Sequence, residues 1–296
     1  GACSLYANTT GAHNVAVGFR ALCTNSTGFK NTASGNYASQ LNTTGSCNSS
    51  FGYQALRNAT TATHNTASGY QSSRNTTTGS RNSTFGTRSL YNNTTGCDNI
   101  AVGHYALNCN TTANQNVAVG GCTLMSNTTG AQNTAVGHGA LHCNTVAHSN
   151  TAVGQCALRN NCCSGAKDNV AVGVQALLAN CAGCRNVAVG PSSLQCNTSG
   201  VRNQAFGGWA LRRNTTGHNN TASGYYALNC NTTGGDSVAY GHYALRHNTA
   251  SSNTAVGAYA GCGNTTGAVV AVGKSALKDN TTGAQNTAIG HCSLGK

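Results

Sequence analysis

One phrase, Asn-Thr-Ala-Val-Gly-x-x-Ala-Leu-x-x-Asn-Thr-Thr-Gly-x-x, recurs through the whole of a 296-residue chain, and a short fixed period of this kind builds a stack of like turns. With Asn14 as position 1, the turns start at Asn31, Asn48, Asn65, Asn82, Asn99, Asn116, Asn133, Asn150, Asn169, Asn186, Asn203, Asn220, Ser237, Asn253, Val269 and Asn286. Spacing this regular leaves no room for an inserted enzyme domain. Position 5 is glycine every time, from Gly18 to Gly290, which predicts a corner where φ is positive or where neighbouring backbones stack closely. Alanine at position 3 and leucine at position 9 mark the inside.

Positions 1 to 4 read Asn-Val-Ala-Val or Asn-Thr-Ala-Ser, short and β-branched, and Gly with Asn-Thr-Thr-Gly punctuates each turn. Strand and turn are therefore expected in place of helix. The Ala-Leu pair at positions 8 and 9 is too little apolar surface for a helical repeat but enough for a thin coil. The chain is read as all-β, a parallel β-solenoid (β-roll) of about seventeen 17-residue rungs in one continuous domain over residues 1–296. At ~4.8 Å per rung that predicts a rod roughly 80 Å long. The period slips three times: by two residues in the turn begun by Asn150, at Asn160-Asn161-Cys162-Cys163, and by one in each of the turns begun by Ser237 and Asn253. Corners are expected to absorb these slips.

Catalysis is not expected. The four acidic residues, Asp98, Asp168, Asp236 and Asp279, are scattered, which removes paired-carboxylate chemistry and the aspartate rows of calcium-binding solenoids. His104, His138, His242 and His291 share position 6 but are at least two rungs, roughly 10 Å, apart. Cys181-Ala-Gly-Cys184 has zinc-like spacing without a second pair, so neither a metal nor a cofactor is predicted. The net charge of +12 places Arg57, Arg74, Arg159, Arg212, Arg246 and Lys278 at position 10, a sparse basic stripe that reads as a solubilising edge able to meet surface polysaccharide. Nucleic acid is not an expected partner, because stacking platforms and basic clusters are absent from the sequence. No apolar stretch approaches the ~20 residues of a membrane span.

Sixteen cysteines on so small a core predict an oxidising, extracellular or cell- or virion-surface setting. The only methionine is Met125 and the chain opens on Gly1, which reads as a processed or truncated product. Position 12 supplies Asn-x-Thr/Ser sequons at Asn8, Asn25, Asn42, Asn93, Asn110, Asn127, Asn197, Asn214, Asn231, Asn264 and Asn280, candidates for glycosylation. Turn chemistry generates the same pattern, so both readings stand at this point. Counting back from Asn169 assigns Cys162 to position 11, stacked on Cys143, and Cys163 to position 12, one residue out of phase with Cys181; both pairs are disulfide candidates. The opening Gly1-Ala2-Cys3-Ser4-Leu5 and the closing Gly290-His291-Cys292-Ser293-Leu294 share a phase, which makes Cys3 and Cys292 candidates for a bond between head-to-tail copies.

The Asn-Thr-Ala-Val-Gly-x-x-Ala-Leu wording resembles the repeats of the β-roll heads of trimeric autotransporter adhesins and of related phage and viral fibre proteins. The resemblance covers the whole chain and is most specific at positions 1 to 9. It implies a parallel β-roll, often trimeric, at a cell or virion surface. Positions 2 and 4, which point opposite to position 3 in a strand, are Val-Val in several turns and carry Phe51, Phe85, Phe206 and Tyr240 in others. A partly apolar second face predicts self-association, lateral or head-to-tail. Read together, these features predict a structural subunit of an extracellular, glycosylated and disulfide-stabilised fibre. An adhesin or viral fibre domain binding host glycans is the first alternative. An ice-binding β-solenoid is the second, since the Asn-x-Val-x-Gly coils also resemble grass ice-binding proteins.

Overall fold

The computed structural model describes residues 1–295, and these form an all-β parallel β-solenoid of seventeen parallel strands in about sixteen turns of about 17 residues, without helix. The chain divides into two compact units, Gly1–His148 and Ser149–Lys296. The first holds β1 (Val15–Val17), β2 (Thr32–Ser34), β3 (Ser49–Phe51), β4 (Thr66–Ser68), β5 (Ser83–Phe85), β6 (Ile100–Val102), β7 (Val117–Val119) and β8 (Thr134–Val136). The second holds β9 (Thr151–Val153), β10 (Val170–Val172), β11 (Val187–Val189), β12 (Gln204–Phe206), β13 (Thr221–Ser223), β14 (Val238–Tyr240), β15 (Thr254–Val256), β16 (Val269–Val272) and β17 (Asn286–Ile289).

Within each unit every strand pairs in parallel with the next at the same phase, Ala101 opposite Ala118 in the first and Ala188 opposite Ala205 in the second. The register slips leave the pairing intact. Thr151 of β9 faces Val170 of β10, and Thr254 of β15 faces Val270 of β16. Strands this short and buried on one side tolerate no sideways shift, because moving by one residue would turn alanine outward; the extra and missing residues are taken up between strands.

Position-3 alanine and position-9 leucine are the interior. Ala33, Ala101 and Ala188 are fully buried, as are Leu22, Leu107 and Leu194. In the turn of β2, Ser39 replaces the leucine, and its hydroxyl donates to Ser50, which replaces the alanine of β3, at 2.9 Å. Ser73 and Thr84 repeat the exchange one period-pair further on, 3.0 Å apart. The hydroxyl-bearing departures at these two interior positions thus come in hydrogen-bonded couples, as burial of a hydroxyl requires.

The backbone bends at four places per turn. Position-5 glycines carry φ between +119° and +142°, and residues at positions 7, 9 and 17 sit in the left-handed region, for example Tyr105 (57°), Leu107 (51°) and Gln115 (59°). Placing L-residues there costs about 1–2 kcal/mol each, and stacking must offset it. Arg202, exposed at position 17 with φ 56°, is a place where relief is free of packing loss. Arg202→Gly is expected to raise unfolding stability by about 0.5–1 kcal/mol, read as a higher urea midpoint at unchanged slope.

Two rows of buried asparagine run through the turns. At position 1, the Asn99 side chain takes the Asn116 main-chain N–H at 3.0 Å and the Asn116 amide at 3.3 Å on its Oδ1, while its own Nδ2 donates to Asn82 Oδ1 and to the Ala113 carbonyl. At position 12, Asn110 Nδ2 donates to Asn93 Oδ1 at 3.0 Å and to the same Ala113 carbonyl at 3.1 Å. One position-15 carbonyl therefore closes both rows. Where the row is interrupted, an acceptor is stranded: Ala59 stands where the partner of Asn42 should be, and Asn42 Oδ1 is buried without a hydrogen bond. Asn231 Oδ1 is stranded likewise, because the next position-12 residue, Asn248, lies in a shortened turn and donates to the Ala250 carbonyl.

Candidate interaction face and three-cysteine cluster

The outer side of the strands is partly apolar in both units, with turns such as β2 and β13 presenting Thr and Ser there. In the first, Phe51, Phe85, Ile100 and Val136 are exposed beside the half-buried Val102 and Val119; in the second, Val172, Phe206, Tyr240 and Val256 are exposed. These are positions 2 and 4, directed away from the buried alanines as the strand period requires. Exposure of about 41–47% for Ile100, Phe85, Phe206 and Tyr240 leaves room for a covering partner to remove more surface from water. A second apolar strip follows the strand, where Trp209, Tyr226, Tyr243 and Tyr259 stack at position 7 with ring centroids 5.1 to 5.4 Å apart. Arg246 lies over Tyr243 at 4.8 Å.

The position-10 stripe is laid onto its neighbours. Arg57 donates to Gln40 at 2.9 Å, Arg212 to Gln195 at 2.8 Å, and Arg74 to Gln54 and to the Tyr91 hydroxyl. Two ion pairs occur among the described residues, Arg81–Asp98 at 2.6 Å and Arg185–Asp168 at 4.0 Å. Both join position 17 of successive turns, a cross-turn pairing that the sequence shows only once the turns are aligned. The Asp98 carboxyl is held below its ordinary range by the hydrogen bond from Arg81.

The position-12 sequons face inward. Asn25, Asn42, Asn93, Asn110, Asn127, Asn197, Asn214, Asn231 and Asn264 are buried, and Asn8 and Asn280 are half-buried. Both Nδ2 hydrogens of Asn110 are engaged, and the same holds for Asn127, Asn197 and Asn214. An N-linked glycan replaces one of those hydrogens, so glycan and row exclude each other at any one residue. The row supplies a structural cause for the sequon pattern.

The inserted residues occupy a different place from the one that backward counting assigns. Asn161 is the position-12 residue of its turn: Asn180 Nδ2 donates to its Oδ1 at 2.9 Å, and its own Nδ2 reaches the Ala166 carbonyl at 2.9 Å. Asn160 takes position 11, its N–H donating to the Leu178 carbonyl as Cys109 donates to Met125 in an ordinary turn. Cys162 is therefore not at position 11 and the phase argument that set it on Cys143 does not hold. Cys163 is not at position 12; its N–H donates to the Cys181 carbonyl at 3.1 Å, as the residues that follow position 12 donate to the next position-13 carbonyl in an ordinary turn.

The correction brings three sulfurs together. Cys181 Sγ lies 2.7 Å from that of Cys162 and 3.1 Å from that of Cys163, and the latter two are 3.9 Å apart. Cys162 and Cys163 are exposed and Cys181 half-buried. The hydrogen bond with Cys181 pushes the Cys163 thiol up, and that with Cys162 pushes Cys181 up. Among the described residues this is the one group of three or more such side chains close enough to share an ion, and it does not include Cys184. Cys3 and Cys292 are both exposed at position 7, with left-handed φ of 58° and 55° in their respective units. Comparison with protein-family models, with curated proteins and with solved structures returned no match.

Proposed function

We propose that the chain is a structural subunit of an extracellular fibre or filament, without catalytic activity, in which copies pack through the outer face of their strands. The observation that carries this reading is the partly apolar face at positions 2 and 4, where exposed Val, Ile and Phe side chains recur in each unit between turns that carry Thr and Ser, and which gives a second copy a surface of matching period. A repeated face matches another repeated face at many points at once, so weak contacts per turn sum to a stable contact. Cysteine-rich composition supports the extracellular setting, and the likeness of positions 1 to 9 to the repeats of fibre-forming β-roll heads supports the class. Cys3 and Cys292 are exposed, open to reagents and to partners alike. Host-glycan or ice binding through the threonines is the weaker reading, because the position-13 hydroxyls are already spent: Thr111 and Thr128 donate theirs to the carbonyls of the next turn at 3.2 and 3.0 Å.

The test is charge on the face. Phe85→Lys combined with Ile100→Lys alters two exposed side chains and should leave the fold unchanged by circular dichroism. Wild-type protein is expected to form multimers or filaments by sedimentation velocity and negative-stain imaging. The double variant should associate about tenfold more weakly or worse. A wild-type chain that remains monomeric at every concentration would sink the proposal.

A further inference from the structure

We propose that Cys162, Cys163 and Cys181 form a three-thiolate site for a soft, thiophilic metal ion that ties the inserted loop to the following turn. The inference is independent of fibre formation, since it concerns one loop and its neighbour within the second unit. Three features of that loop carry it.

The ends of the loop are fixed. Asn161 is locked into the position-12 row and Ala166 supplies the carbonyl that closes it, so the four residues from Cys162 to Gly165 must bulge out between two set points. The Cys163 N–H bond to the Cys181 carbonyl then turns the bulge toward the next turn, where Cys181 stands half-buried.

The spacing suits one ion and three sulfurs. Zinc–thiolate bonds of about 2.3 Å around a single ion put the sulfurs about 3.8–4.0 Å apart. Cys162 and Cys163 already stand 3.9 Å apart, and the 2.7 and 3.1 Å separations from Cys181 open by about an ångström through side-chain rotation of two exposed residues.

The number of sulfurs is odd. A disulfide would join two and leave the third thiol pressed against it, whereas an ion engages all three and keeps a fourth position for water. The donor set is all sulfur, which selects the soft end of the metal series. Binding is a proton exchange: three thiols lose their protons, three metal–sulfur bonds form, and three protons are released for each ion taken up. Because each ion taken up displaces protons from the thiols, uptake strengthens as pH rises.

The experiment uses the full chain, reduced and stripped of metal under anaerobic conditions, titrated with Cd(II) in the presence of a competing chelator. Expected is one tight equivalent with the ultraviolet thiolate-to-cadmium charge-transfer intensity of three Cd–S bonds. Cys162→Ser, Cys163→Ser and Cys181→Ser should each weaken it by at least about 100-fold, the upper end of the loss that follows removal of a mere outer partner. Cys109→Ser, in the other unit, should leave it unchanged, and circular dichroism should show every variant folded. The tight equivalent should also grow tighter with rising pH. The proposal is overturned by a reduced wild type with no tight equivalent, by any of the three serine variants binding as tightly as the wild type, or by peptide maps of unreduced native protein that join Cys181 to either neighbour in a disulfide.

Discussion

Gly103→Ala is expected to lower unfolding stability by more than about 3 kcal/mol, from two causes that separate experimentally. The first is conformational: φ at Gly103 is +133°, outside the regions open to L-residues, at a cost of about 1–3 kcal/mol. The second is contact between turns. A methyl group there would sit 2.5 Å from the Gly120 carbonyl oxygen and 2.7 Å from its carbonyl carbon, both backbone atoms held in the stack. Neither can rotate away. Gly290→Ala isolates the first cause, since its φ is +119° but nothing lies within 4 Å of the added methyl. Urea unfolding of the two variants should rank Gly103→Ala well below Gly290→Ala, and equal losses would show that turn-to-turn contact at the glycine corner is unimportant.

Asn99→Ala should be nearly as damaging, by about 3–5 kcal/mol. It deletes two donated hydrogen bonds, to Asn82 Oδ1 and the Ala113 carbonyl, and two accepted from Asn116. The Asn116 main-chain N–H is left buried and unpaired, and each stranded buried group costs about 1–3 kcal/mol. The effect should be local. In a solenoid each turn contacts only its neighbours, so amide hydrogen exchange should quicken in the turns around β6 and β7 and remain slow in those around β2. Loss below about 1 kcal/mol would mean that water replaces the row.

Much of this architecture is legible in the sequence because a repeat reports its own alignment. The glycine at position 5 of each turn is both of the things a glycine corner can be, a positive φ and a close approach of backbones. The strand at positions 2 to 4 and the inward alanine follow from alternation. What escapes sequence reading has physical reasons. Leucine is not a turn signal, so nothing in Ala106-Leu107 warns that Leu107 is at once a core residue and left-handed; stacking overrides the local preference. The sequons were readable as surface corners because asparagine is usually exposed, and only a neighbour at the same phase makes its burial possible. The cysteine cluster was hidden by a choice of counting direction. Counting forward from Asn150 places Asn161 at position 12 and counting back from Asn169 places Cys163 there, and the side-chain bond from Asn180 selects Asn161.

The asparagine rows also have a sense. In both, the side-chain amide of a later turn donates to the oxygen of an earlier one, from Asn127 to Asn110 to Asn93 at position 12 and from Asn99 to Asn82 to Asn65 at position 1. The main-chain bonds between turns run both ways, Val117 donating forward to Asn133 and Gln132 donating back to Asn114, and so largely cancel. The amide rows do not cancel. Each uninterrupted run is a line of aligned dipoles in a dry interior, where neighbouring hydrogen bonds polarise one another. The runs end where the sequence breaks them, at Ala59 and between Asn231 and Asn248, leaving an oxygen facing no donor. A coil whose backbone is nearly non-polar along its length thus acquires an electrical direction from its side chains, in segments whose lengths a single substitution at Ala59 would change.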